Sequence, residues 1–336
     1  MRAALTSLFL LAAVPASAAT VTVIDVPGAS FTNAGSISPS GIVGGGYAPG
    51  SSDPCGRQCG FFRMPDGTFQ TFSVFDATNV AVDGVLDDGT AVGTYITGTR
   101  NRGFARKPDG KLRDIFFHKT NTDMQGLNAS GIALGNASSP TGDFAFLRTP
   151  EGKTEVLNID GCHFATFGTG INAAGTVAGS CLVGDDLVGF VRTLDGQTTF
   201  LQKRGWENMG VGAIDDTGAI AGGYVDKHTG TMHGYVRNAD GKYRSFDLPG
   251  DNPVNTYIVA MTIVGGERQI VGWYMGQDAR DYGFLVHADG SNEVFDVSGG
   301  SAKQSGTIVG GISPSGIVVG TYFDDSLRSH GFIRTP

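Results

Sequence analysis

Long apolar runs are missing from this 336-residue chain once its first eighteen residues are passed. That opening segment, with Arg2, the apolar residues 5–14 and the small residues Ala16, Ser17 and Ala18, has the order of an export signal. It is too short for a membrane span, which needs about twenty apolar residues. The mature chain is therefore expected to begin near Ala19, to be secreted to the periplasm or outside the cell, and to lack a membrane span. Charge is also scarce, at 17% of residues, and acidic side chains outnumber basic ones 32 to 24. A formal net charge of −8 makes a poor partner for phosphate backbones or anionic lipid, which sets nucleic acid aside. Nor does any long segment keep a helical period. Instead, 53 glycines and 13 prolines punctuate short stretches rich in Val, Ile, Phe and Tyr, the composition of strands joined by tight turns.

Catalytic signatures are lacking as well. There is no G-x-S-x-G elbow, no H-E-x-x-H and no phosphate loop, and "GTGINA" (168–173) imitates a dinucleotide fingerprint only within a repeated phrase that no helix follows. Cysteine is limited to Cys55, Cys59, Cys162 and Cys181. In an oxidising compartment two disulfides are the default, and proximity favours 55–59 and 162–181, with other pairings open. A metal or redox site at Cys55 and Cys59 is disfavoured by the C-x3-C spacing and the want of flanking histidines.

What is present is a repeat. A glycine-aromatic pair recurs at Gly60-Phe61, Gly103-Phe104, Gly189-Phe190, Gly234-Tyr235, Gly283-Phe284 and Gly331-Phe332, with Ala145-Phe146 as a variant. The intervals are 43, 42, 44, 45, 49 and 48 residues. Two residues on stands Arg63, Arg106, Arg148, Arg192, Arg237 or Arg334, Val286 being the exception, and a turn such as "PDG" or "ADG" follows. Before each pair comes a second phrase, as in "GVLDDGTAVGTY" and "GISPSGIVVGTY", which reads as strand, turn, strand. Four strands in roughly 45 residues is the make-up of a propeller blade. The chain ends in mid-phrase at "SHGFIRTP", and the segment it lacks is supplied by Ile24-Asp25-Val26-Pro27-Gly28, which matches Phe246-Asp247-Leu248-Pro249-Gly250. The expectation is one domain over residues 19–336, an all-β, seven-bladed propeller of four-stranded blades, its ring closed by the N-terminal strand pairing with the C-terminal strands. An open solenoid would need polar caps, and none is evident.

The phrases "GFxRxxDG" and "GINxxGxxxG" resemble those of the bacterial extracellular repeat proteins called the HAF type, His233-Gly234-Tyr235 and His330-Gly331-Phe332 coming nearest. The resemblance covers nearly the whole mature chain. It implies an exported repeat domain and no common reaction.

Residues that recur in every unit are expected to serve the unit. The aromatic is read as a wedge between sheets, its glycine as leave for a neighbouring backbone to approach, and the arginine as the ion-pair partner of Asp25, Asp247 or Asp296. Thr32, Thr122, Thr166, Thr256 and Thr307 each stand at the start of an innermost strand, either as caps of backbone groups or as a ring of hydroxyls. Individuality lies in the loops that lead into the innermost strands. These nominate His118, Asp123, His163, Arg204, Trp206, Glu207, Asn252 and Tyr257 as a ligand surface, Trp206 being suited either to stack on a sugar or to pack its loop. No catalytic residue and no required cofactor are assigned, although His118, His163 and Asp123 are candidates to hold a divalent metal at the channel. The expected protein is a monomer that binds a glycan or protein partner. The rival is a propeller hydrolase or lyase whose acids gather from separate blades.

Overall fold

A computed structural model describes residues 19–50, 57–117, 120–247, 256–302 and 304–336. The expected export signal, residues 1–18, lies outside them. All regular structure among the described residues is β-strand, arranged in four-stranded antiparallel ladders. β1 (Thr20–Ile24) stands apart from the strands that directly follow it. Next come β2 (Phe31–Ile37), β3 (Val43–Ala48), β4 (Cys59–Arg63) and β5 (Phe69–Ser73), paired in that order. β6 (Asn79–Val85), β7 (Ala91–Thr97), β8 (Arg100–Arg106) and β9 (Leu112–Ile115) repeat the pattern. So do β10 (Asn121–Leu127), β11 (Ala133–Ser139), β12 (Gly142–Arg148) and β13 (Thr154–Val156).

The fourth such set is β14 (Thr166–Ile171), β15 (Val177–Val183), β16 (Asp186–Arg192) and β17 (Thr198–Phe200). β18 (Trp206–Ile214), β19 (Ile220–Asp226), β20 (Met232–Arg237) and β21 (Tyr243–Phe246) adjoin it through the single bridge Val188↔Met209. β22 (Thr256–Val264), β23 (Glu267–Met275), β24 (Asp281–Val286) and β25 (Asn292–Phe295) follow. The last strands in sequence are β26 (Gly306–Ile312), β27 (Val318–Phe323) and β28 (Ser329–Thr335). Their fourth partner is β1, paired with β28 from Thr20↔Thr335 to Ile24↔Gly331.

Turn chemistry explains the strand boundaries. Between the first two strands of a ladder, a polar side chain folds back to accept the N–H groups of the turn. Asn128 Oδ1 takes those of Ser130 and Ile132, Asp215 Oδ1 those of Thr217 and Ala219, and Ser313 Oγ that of Ile317. The glycine that ends each turn has positive φ, as at Gly131 (75°) and Gly316 (81°). Neighbouring turns are linked too: Asn128 Nδ2 donates to Asn172 O at 3.1 Å, and Asn172 Nδ2 to Asp215 O at 3.3 Å.

The cores lie between consecutive ladders. Phe62 and Val74 pack with Val82, Tyr95 and Phe104, and Phe246 packs with Ile270, Phe284 and Val286. Ile24 and Val319 pack with Ala34 and Val43, so the last strands share a core with the first. Every repeat aromatic is fully buried, each contributing about 2 kcal/mol by its removal from water. Its ring lies on a glycine of the adjoining strand: a Cβ at Gly93 would fall 2.5 Å from Phe104, and one at Gly320 would fall 2.7 Å from Phe332.

Two expectations need correction. The glycine before the aromatic mainly makes room for a side chain of the outer strand, Phe72 at Gly60, Phe246 at Gly234 and Phe295 at Gly283. The repeat arginine does not pair with Asp25, Asp247 or Asp296. The register opposes Ile24 to Gly331 and Val21 to Arg334, so the aspartates lie at the far end of the strand. There they meet His330 (2.8 Å), His233 (3.1 Å) and Arg280 respectively. The arginines instead reach the ladder before their own: Arg192 pairs with Glu155 at 3.1 Å, Arg334 with Glu293, and Arg106 lies over Phe62 and Phe72.

Candidate functional site

The first strand of each ladder carries a β-bulge at the same place, where one residue is skipped in the pairing register. The skipped residues are Gly35, Asp83, Gln125, Thr169, Gly212, Val259 and Gly310, and all of them line one cavity of about 620 Å³. A further 240 Å³ shares Asp83, Gln125, Thr169, Val259 and Gly310, so the two spaces adjoin along these strands. Its wall is uneven. Asp83, Gln125 and Thr169 give one polar arc, while glycines and Val259 leave the remainder small and uncharged.

Asp83 is the only ionisable side chain among the bulge residues. Burial pushes its carboxyl up to about 7, against a donated bond from the Thr94 hydroxyl at 2.7 Å, and the nearby charge of Asp123 adds to the rise. The Thr94 hydroxyl also accepts the N–H of Met124, tying β7 to β10. Such a tie recurs one residue after the glycine that seats the repeat aromatic. Asn136 accepts from Gly168 N, Ser180 from Val211 N and Thr321 from Ala34 N.

At this position β3 has Gly46, β19 has Gly223 and β23 has Trp273, so none of the three makes the tie. At Gly46 the Val80 backbone closes in instead, a Cβ there falling 1.8 Å from Val80 O, whereas the space beside Gly223 and Trp273 stays open. The cavity widens here, reaching Gly222, Gly223 and Met232 on one side and Thr256, Tyr257, Ile258 and Trp273 on the other. Tyr257 and Trp273 are cross-strand partners whose rings stack at 4.3 Å and 24°. Tyr257 is 50% exposed, and the pair forms an aromatic wall at the widened mouth.

Of the residues nominated from sequence, Tyr257 lines this cavity and Asp123 stands behind Asp83. Asp123 accepts from Asn101 Nδ2 at 2.6 Å. Trp206 is stacked on Tyr224 at 3.5 Å and 9°, beside Tyr235 and Tyr243 and beneath Lys203, and so packs its own loop. Arg204 and Glu207 line a separate 400 Å³ hollow with Trp206, Glu207 being paired with Lys227 at 3.0 Å. His163 is exposed next to the disulfide loop. His118 and Asn252 lie outside the described residues. Among the described residues, no three His, Cys, Asp or Glu side chains are grouped to hold a metal. Cys162–Cys181 is a disulfide; Cys59 is also disulfide-bonded, and its expected partner Cys55 lies outside the described residues.

Two of the threonines act as caps, while Thr122 meets the hydroxyl of Thr120 at 3.4 Å. Thr32 accepts the N–H of Val26 at 3.1 Å and Thr307 that of Val297 at 2.8 Å, both fully buried. Thr256 differs, its hydroxyl buried at the cavity with no hydrogen-bond partner among the described residues.

Sequence reasoning passed over Asp83, Gly223 and Trp273. Two of them stand where the repeated phrase has another kind of residue: Trp273 in "IVGWY" and Gly223 in "IAGGY" against "AVGTY" and "VVGTY". Departure from the repeat was the available signal.

No family model matches this sequence, and no curated protein does. Solved structures do. The fold is similar to that of a streptogramin B lyase, with a TM-score of 0.61 and 12% identity over 94% of this chain and 97% of that one. A virginiamycin B lyase from Staphylococcus aureus gives 0.60 and 12% over 95% and 100%. A puromycin hydrolase gives 0.56 and 13%, matching 91% of this chain to 55% of its own length. Identities this low speak for the fold alone: the chain is folded like the β-propeller proteins.

Proposed function

We propose that this is an exported, seven-bladed propeller, closed into a ring by β1 on β28, that binds a glycan at the widened mouth of its channel. Export rests on the leading segment and on disulfide use. The HAF-type resemblance belongs to the same reading. The observation that carries the binding role is the Tyr257–Trp273 stack, a flat half-exposed surface on the wall of a cavity whose opposite side offers a carboxyl, an amide and a hydroxyl. Sugar rings present apolar faces to aromatic planes and hydroxyls to such polar groups.

The two tryptophans make the test direct, because Trp206 is packed into its own ladder while Trp273 faces the cavity. Titration with a panel of soluble oligosaccharides should change the fluorescence of wild type and of Trp206→Phe. Trp273→Ala and Tyr257→Ala should each weaken binding by about tenfold or more. Full affinity in Trp273→Ala would remove the aromatic wall from the site.

One observation favours the rival, an extracellular hydrolase or lyase. A carboxyl held near pH 7 at the channel is suited to donate a proton. Turnover of a polysaccharide or lactone that is lost in Asp83→Asn would establish that reading.

A further inference from the structure

On the face of the molecule where the Asp-Gly hairpins lie, a second cavity of about 530 Å³ opens between the ladders β18–β21 and β22–β25. Its position coincides with the one break in the arginine repeat. Elsewhere the arginine stem runs between ladders, and the guanidinium of Arg63, Arg106, Arg148, Arg192 and Arg237 lies beside the glycine of its own hairpin turn, while Arg334 pairs with Glu293. Arg106 lies over Phe62 and Phe72 of the ladder before it, with Gly110 beside its guanidinium, and Arg148 donates to Gly152 O at 2.9 Å. At β24 the residue is Val286, which is fully buried and ends short of that space.

The turn after β24 keeps a guanidinium, but from the opposite direction. Arg244 on β21 crosses over and donates to the carbonyls of Ala288 and Asp289. Its register position is the one that Glu155 and Glu293 hold in their ladders, where each meets the arginine of the following ladder. Here Arg244 stands in the acid's place, as Arg113 does on β9, but only here is the facing arginine missing, replaced by Val286. Arg244 has no ion-pair partner among the described residues, and the Asp289 carboxylate is already taken by the N–H and hydroxyl of Ser291 at 2.8 and 2.6 Å. A guanidinium has five N–H donors, and the two turn carbonyls do not exhaust them.

We propose that this inter-ladder cavity is a binding site for a small amphipathic carboxylate, its carboxyl on Arg244 and its apolar body against Phe246, Ile270 and Val286. The apolar floor is the buried surface over which an arginine stem runs in other ladders. The rim has the matching charge: Arg268 is fixed beside Arg244 by Asp215 (2.8 Å), Asn238 (3.2 Å) and Thr217 (3.1 Å), and His287 completes that side. Glu267 is the one exposed acid on the rim. A cationic ligand would meet two arginines, whereas a carboxylate can take a forked pair of bonds from Arg244.

The test titrates the full mature protein with octanoate and phenylacetate, and in parallel with octanamide and phenylacetamide, by calorimetry or ligand-observed NMR. At least one acid should bind with a dissociation constant below about 1 mM, and its amide about tenfold or more weaker. Val286→Arg restores the arginine of the repeat and should abolish binding while leaving the melting temperature at or above that of wild type. Arg244→Gln should weaken the acid by about tenfold and leave the amide unchanged. The site is refuted if neither acid binds the wild type, if acid and amide bind equally, or if folded Val286→Arg binds the acid as wild type does.

Discussion

Asp83 shows how one residue acquires its character from position. In its phrase it is one acid among several, and nothing in its neighbours marks it out. The bulge in β6 turns it onto the cavity wall, and there burial makes its charge costly. Its carboxyl lies above its ordinary value of 3.8, so between that value and about 7 the folded protein holds more protons than the unfolded chain. Stability from this group therefore falls as pH rises through that window. Asp83→Asn should unfold at higher denaturant than wild type at about pH 8, by on the order of 2 kcal/mol, and the gap should close below about pH 4. Equal midpoints at both pH values would show that the carboxyl is freely solvated. The two tryptophans carry the same lesson. Trp206, in a glycine-flanked loop, has the sequence setting of an exposed residue and is stacked into a ladder. Trp273 sits inside an apolar strand phrase, looks like core, and faces the cavity. What separates them is the register of β22 on β23, which no local pattern states.

Among the elements, strands and hairpins were legible because their turns use residues with a specific backbone role. Asp-Gly and Asn- or Ser-x-x-Gly fix where each strand ends, and period-two burial follows, as in β2. Partners across a pair were less legible. Placing the repeat arginine opposite Asp25 assumed alignment by motif, whereas the register sets Arg334 opposite Val21 and His330 beside Asp25. Bulges were illegible, since one unpaired residue leaves the apolar alternation of a strand nearly intact. The disulfide was readable from proximity alone. Cys162–Cys181 ties the segment before β14 to β15, closing a loop with a sequence separation of 19. Replacing both cysteines by serine should cost about 3 kcal/mol in chemical denaturation. A loss under about 1 kcal/mol would mean that the β14–β15 ladder already holds that segment.

At the scale of the whole molecule, the repeat determines what packs on what. Each core lies between consecutive ladders, so every ladder needs two neighbours to bury both faces. β2 has its second neighbour only in the strands at the far end of the sequence, through Ala34 N on Thr321 Oγ1 at 3.1 Å and the shared core of Ile24, Ala34, Val43 and Val319. The split phrase made this arrangement legible from sequence, because β1 supplies the outer strand that β28 lacks. The departures from the repeat were the harder part: Gly223 and Trp273 open one cavity, and Val286 and Arg244 open another. Repetition stacks ladder on ladder, and its interruptions leave cavities between them. The most direct test of closure is a cross-link between β1 and β28 at Thr22 and Ile333, which face each other in register. With both changed to cysteine, the folded protein should form a bond joining those two positions, found by peptide mapping, and should unfold at higher denaturant than wild type. Two free thiols at those positions in the folded protein would contradict the closed ring.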